Sequence, residues 1–206
     1  MPETKTGIRR ILSIPGMYRL FGRIIGRHRV RTTFVNEYLK PKIGDRILDI
    51  GCGPGDLVPY LPDVQYRGYD ADMEYIQEAR RRFGDKCEFI HGEVDSLGLD
   101  RREEYDLVIA YGVLHHLGDD DVLRLFAVGK EALRSGGRLL TIDGVYTQGQ
   151  SQIAKCFLAS DRGRNIRTQA EYMGLARRAF PEAVSHMRSG LLRVPYNHLI
   201  MECGKP

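Results

Sequence analysis

One stretch constrains this chain more than any other: Arg46-Ile47-Leu48-Asp49-Ile50 runs straight into Gly51-Cys52-Gly53-Pro54-Gly55, three glycines in five residues. A short apolar run closed by glycine reads as a buried strand. Glycines allow a sharp turn and let the backbone come close to a ligand without a Cβ in the way. At the carboxyl edge of an open parallel sheet, such a turn is where ligands bind. The pattern predicts that the chain leaves the turn in a helix.

The rest of the chain keeps the same rhythm. Residues 66–70, 87–92, 105–112 and 137–143 read as further strands, and 105–112 is apolar through its middle, as a central parallel strand must be. Between them, 72–83 and 119–134 carry apolar residues at helical spacing. Asp119, Asp120 and Asp121 suit the start of the second of these helices, and Gly136 and Gly137 are expected to end it. Alternating strand and helix predicts an α/β sheet covered on both faces. Residues 144–167 read as a long polar connection. Thr168 and Glu171 then form a capping box for the next helix. The runs 186–194 and 196–204 are too close for a helical crossover and should pair antiparallel. Residues 8–39 read as helical, broken at Pro15 and Gly16, which suggests a helical cap (1–40) on one domain (41–206).

Length and composition fit this plan. The chain has 206 residues, 42% hydrophobic and 28% charged, enough for one core and too little for a second large domain. No apolar run reaches the ~18 residues that span a bilayer, and no secretory signal pattern is visible, so a cytoplasmic protein is expected. Cys52, Cys87, Cys156 and Cys203 lack the spacing of a zinc site or a disulfide framework, and no metal is expected. The net charge of +4 is uneven: residues 1–40 hold nine Lys or Arg against two Asp or Glu, a sum of +7, which leaves −3 for the remainder. A basic arm of this kind suits an anionic partner.

The glycines are spaced G-x-G-x-G, and Asp56 stands where the dinucleotide fingerprint G-x-G-x-x-G needs its last glycine. Asp49 and Asp56 would flank the turn with negative charge, which disfavours a pyrophosphate and tolerates a sulfonium with an amino group. The string LDIGCGPG (48–55) resembles motif I of the class I S-adenosylmethionine (SAM)-dependent methyltransferases, and the likeness holds over residues 42–143. The whole chain is similar to a group of small bacterial methyltransferases (type 11/12-like) carrying Tyr18-Arg19-Leu20-Phe21, Gly112-Val113-Leu114-His115-His116 and Asp161-Arg162-Gly163-Arg164. The resemblance implies a Rossmann-like seven-stranded sheet in the order 3-2-1-4-5-7-6, its last strand antiparallel. It also implies SAM as cofactor and S-adenosylhomocysteine (SAH) as product. On that reading Asp49, Gly51, Cys52, Gly53 and Gly55 form the turn under the cofactor. Asp70, ending the second strand, accepts the ribose hydroxyls, and Ala71 lies near the adenine. Glu93, with Val94 beside it, holds the position of the family's adenine-facing acid. Ala110 and Tyr111 face the methionine end.

Methyl transfer from a sulfonium is an in-line displacement with a neutral leaving group, so holding the two reactants in line supplies much of the catalysis. A base is needed where the acceptor must lose a proton. His115 and His116 follow the fourth strand; consecutive residues cannot both enter one pocket, and His115 is the candidate base. Tyr111 and Tyr146 are further candidates for handling the acceptor. Arg162, Arg164 and Arg167 could hold an anionic group through guanidinium forks, with Tyr18, Arg19 and Arg23 closing over the pocket. The expected function is methylation of a small anionic metabolite, with oxygen as the favoured acceptor. Three alternatives stand beside it: a nucleic-acid methyltransferase, an NAD-dependent oxidoreductase, and a non-catalytic SAM-binding subunit. The strand ending Ala110-Tyr111-Gly112-Val113 lacks the N/D-P-P-Y/F motif of base-amino methyltransferases, which argues against nucleic acid.

Overall fold

The computed structural model describes residues 26–92, 103–160 and 165–206, with the side chains of 156, 157, 159 and 160 left aside. Its centre is β1, Arg46–Ile50, buried from Ile47 onward. Around it lie β2 (Gln65–Asp70), β3 (Glu88–His91), β4 (Tyr105–Tyr111), β5 (Leu133–Tyr146), β6 (Arg167–Thr168), β7 (Val184–Ser189) and β8 (Asn197–Gly204). The order is β3-β2-β1-β4-β5-β8-β7, with β6 pairing off β5. β8 runs antiparallel to both β5 and β7. This is the expected order and the expected closing hairpin, with the two-residue β6 added.

Helices cover both faces because the strands alternate their side chains between them. On one face α1 (Arg27–Thr33) and α2 (Met73–Phe83) cover Ile47, Leu107, Ile109, Leu140 and Ile142. On the other, α3 (Asp119–Ala132) and α5 (Gln169–Ala179) cover Leu48, Ile50, Val108 and Leu139. α1 continues into a wider π turn, Phe34–Leu39, whose last carbonyls accept from the Arg138 guanidinium at 2.8 Å (Leu39) and 3.3 Å (Tyr38). Val30, Phe34, Val35 and Leu39 are buried, so one face of residues 27–39 packs into the core.

Local chemistry sets the helix starts. Asp72 accepts from the backbone N–H groups of Glu74 (2.8 Å) and Tyr75 (3.3 Å), satisfying two orphan donors of α2. Thr168 and Glu171 make the expected reciprocal capping box on α5.

Three expectations change. No α-helix follows the glycine turn: the chain makes only a single 3₁₀ turn, Val58–Tyr60, because Pro59 and Pro62 remove donors and block helical continuation. The fifth strand is longer than 137–143, beginning at Leu133 directly after α3, so Gly136 and Gly137 lie inside it. Within 144–167, α4 (Gln152–Ser160) packs Ala154 and Leu158, four residues apart, into the core.

Gly129 shows how closely α3 lies on the sheet. A Cβ there would strike the Leu139 side chain, which is fully buried and cannot move aside. Gly129→Val should destabilise by about 1–3 kcal/mol through overpacking, lowering Tm by ~2–4 °C per kcal/mol for a chain of this size; thermal unfolding followed by circular dichroism checks it.

Candidate functional site

The carboxyl ends of β1, β2, β4 and β5 meet at one edge of the sheet. There the turn after β1 holds Gly51, Gly53 and Gly55 at φ +76°, +54° and +73°, values that L side chains rarely adopt. The N–H groups of Gly51 and Cys52 donate to the Tyr69 carbonyl at 2.7 and 2.9 Å. Gly53 N–H donates to Asp70 Oδ2 at 2.8 Å, and Asp72 N–H to Asp70 Oδ1 at 2.8 Å. Asp70 therefore ties β2 to the glycine turn, and its carboxyl is raised above the ordinary range by burial. A Cβ on Gly53 would meet nothing within 4 Å, so this part of the turn faces open space. Ala71 beside it is exposed, its carbonyl 3.0 Å from the His91 ring.

Beneath the turn Asp49 is fully buried. Tyr66 donates its hydroxyl to Asp49 Oδ2 at 2.6 Å, while Oδ1 is buried without a hydrogen-bond partner. Burial pushes the Asp49 carboxyl up to about 7. The folded chain thus holds this proton more tightly than the unfolded one, so stability contributed at low pH is lost as pH rises from about 4 to about 7. Asp49→Asn keeps an acceptor for Tyr66 and removes that loss. Its stability relative to the unsubstituted chain should increase from about pH 4.5 to about pH 7.5, measured by urea unfolding at each pH.

The other expected residues fall in different surroundings. The Cys52 side chain is buried against Gly68, and burial holds its thiol well above the ordinary range, so only its backbone reaches the turn. Ala110 is fully buried in the core. Tyr111, edge-on to Phe34 at 5.4 Å between ring centres, has its hydroxyl pushed up to about 12 by burial, which makes it a donor and not a base. Tyr146 ends β5 in register with Thr168, three residues beyond Asp143 and so on the opposite face of the strand. Tyr18, Arg19, Glu93, Val94, Arg162 and Arg164 lie outside the described residues.

His115 sits in a 3₁₀ turn, Leu114–His116, directly above β4 and β5. It is 5% exposed, whereas His116 is exposed to solvent. Its Nδ1 lies 2.8 Å from Asp143 Oδ1, and its backbone N–H donates to the same oxygen at 3.3 Å. Asp143 is 2% exposed; burial raises its carboxyl, and the bonds from His115 oppose that rise. A carboxylate on Nδ1 sets the imidazole tautomer and orientation. The pair adjoins the glycine turn, since Val113 lies where a Cβ on Gly51 would fall, at 2.5 Å.

Two assignments are corrected here. Asp56 leaves no uncompensated negative charge at the turn: its oxygens pair with Arg31 (2.7 Å) and Arg82 (2.8 Å). Arg167 serves the fold. Its guanidinium donates to the Leu114, Leu117 and Asn165 carbonyls and to Asp119, so it clamps the His115 turn from below. Asp143 and Arg31 were not singled out in the sequence. An acid directly after Leu139-Leu140-Thr141-Ile142, within a buried strand, was the one local hint for Asp143, because buried carboxylates are rare without a partner.

Residues 47–137 match the family described as a methyltransferase domain. The chain is 27% identical over 143 residues to the ubiquinone/menaquinone biosynthesis C-methyltransferase UbiE of Pseudomonas fluorescens, covering 64% of this chain and 55% of that protein. It is 27% identical over 172 residues to aclacinomycin 10-hydroxylase RdmB of Streptomyces purpurascens, covering 76% of this chain and 45% of that one. The chain thus spans about half the length of these curated relatives. Its fold matches phosphoethanolamine N-methyltransferase 2 of Haemonchus contortus with a TM-score of 0.75 at 15% identity, over all of this chain and 61% of the other. Fold, glycine turn and family match define a SAM-binding methyltransferase domain. Residues 47–137 carry a methyltransferase domain, and the matches together support a class I SAM-dependent methyltransferase with SAM as cofactor.

Proposed function

We propose that this chain methylates an oxygen of a small anionic metabolite, with His115 taking the acceptor's proton. The observation that carries the proposal is the buried His115–Asp143 pair beside the glycine turn. The groups at the turn suit SAM: open space at Gly53, a carboxylate at Asp70 for the ribose hydroxyls, and a buried unpaired oxygen on Asp49. When bound, SAM supplies an electrophilic methyl on a sulfonium. Asp70 holds the turn and the ribose, and Asp49 places a carboxyl beneath the turn. His115, oriented by Asp143, accepts the proton an attacking hydroxyl must shed, a contribution of ~10²–10⁴ in rate. Tyr111, protonated, donates a hydrogen bond at the methionine end. Arg19 and Arg23, together with Arg162 and Arg164, supply positive charge for an anionic acceptor.

The test is SAH release from SAM across small hydroxyl-bearing acids, alcohols, amines and a nucleic-acid control. Turnover confined to anionic hydroxyl compounds is expected. Preference for amines or for carbon acceptors would overturn the oxygen assignment. SAH binding with no turnover on any acceptor would favour the non-catalytic reading.

A further inference from the structure

Beside the glycine turn Asp56 is shared between two arginines. Asp56 Oδ2 accepts from Arg31 and Oδ1 from Arg82, and Arg82 also donates to the Pro54 carbonyl at 2.7 Å. One carboxylate therefore meets two guanidinium groups. Arg27, one turn before Arg31 on α1, also acts on Asp56. The Arg31 side chain is 18% exposed and Asp56 25%, so the pair is sheltered without being closed off. Tyr60 lies beside Arg31, and both Arg31 and Arg27 act on the Tyr111 hydroxyl at the end of β4. Arg31 thus stands between the glycine turn and the strand end that faces the cofactor's methionine portion.

A guanidinium carries five N–H donors in a rigid fork, and the bond to Asp56 leaves donors to spare. Asp56 holds the fork in place, which lowers the entropy lost when a second anion joins it. A sheltered guanidinium with donors unused draws an anion. A carboxylate fits a guanidinium fork best.

We infer that Arg31 receives the carboxylate of the cofactor's methionine moiety, an inference that rests on the glycine turn being the SAM site. Asp56 is then a positioning residue, and Arg82 neutralises it so that the charge of Arg31 remains available.

The test compares two ligands by calorimetric titration: SAH, which carries the carboxylate, and 5′-methylthioadenosine, which lacks it. Arg31→Gln should weaken SAH binding by about tenfold to a hundredfold and leave methylthioadenosine binding within about twofold. Asp56→Asn, which removes the positioning partner and keeps the Arg31 charge, should retain the preference for SAH over methylthioadenosine. Unchanged SAH affinity in Arg31→Gln with a raised acceptor KM would overturn the inference by assigning the cation to the acceptor. Equal losses for both ligands would also overturn it, since Arg31 would then act only by supporting the turn. An unsubstituted chain that binds neither ligand would overturn the SAM site itself, a result distinguishable from the others.

Discussion

His115→Gln should lose about 10²–10⁴ of kcat while SAH affinity stays within a few fold. The substitution keeps a polar side chain of similar reach and removes the buried imidazole that faces Asp143. His115 N–H and Nδ1 both address Asp143 Oδ1, so the imidazole is locked in orientation before any acceptor arrives. Asp143→Asn should produce a loss of the same order, because an amide can present a donor to Nδ1 and favour the wrong tautomer. The unsubstituted enzyme should slow in acid, because a base acts only when unprotonated, and His115→Gln should lose that dependence. Steady-state rates across pH, with SAH titrated in parallel, decide the matter. Full activity in either variant would show that positioning alone carries the reaction and that the acceptor needs no base.

The sequence disclosed what rests on local periodicity. β4 and β8 are apolar through their middles, α3 repeats at helical spacing, and Thr168 and Glu171 sit at capping-box distance, so each could be read without knowing its neighbours. The strand order came from the resemblance, and the closing hairpin followed from the short link between its two halves. The helix expected after Gly55 failed for a reason visible in hindsight: Pro59 and Pro62 outweigh the fold-level habit of a helix there. α4 was hidden because its apolar stripe is narrow and its burial is long-range; Leu158 is buried against Gly144, 14 positions earlier in the chain. The site divided in the same way. The glycine turn and Asp70 are adjacent to recognisable strands. Asp143 meets His115 across 28 residues, and Arg31 meets Asp56 across 25, and no spacing rule foretells either pair. The neutralisation of Asp56 also weakens the argument that its charge alone excludes a pyrophosphate; the family match carries that exclusion instead.

Gly51→Ala and Gly53→Ala should fail in different ways, and the contrast locates the cofactor. Both glycines have positive φ, so a Cβ costs ~1–2 kcal/mol at either position. At Gly51 it would also lie 2.5 Å from Val113 Cγ2, on the residue that leads into the His115 turn. That clash adds an overpacking cost, giving a total destabilisation of about 2–4 kcal/mol. Relief by moving Val113 would displace His115, so turnover should fall with stability. At Gly53 the Cβ meets no protein atom within 4 Å, and the fold loses only the cost of the left-handed backbone. A ligand lying against Gly53 would feel that methyl directly, as close backbone approach is what glycine permits. Gly53→Ala should therefore melt within a few degrees of the unsubstituted chain and bind SAH at least about tenfold more weakly. Thermal melts and SAH titrations on the two variants separate the effects. If Gly53→Ala bound SAH normally, the cofactor would not rest on this turn, and the assignment of Asp70 to its ribose would fall with it.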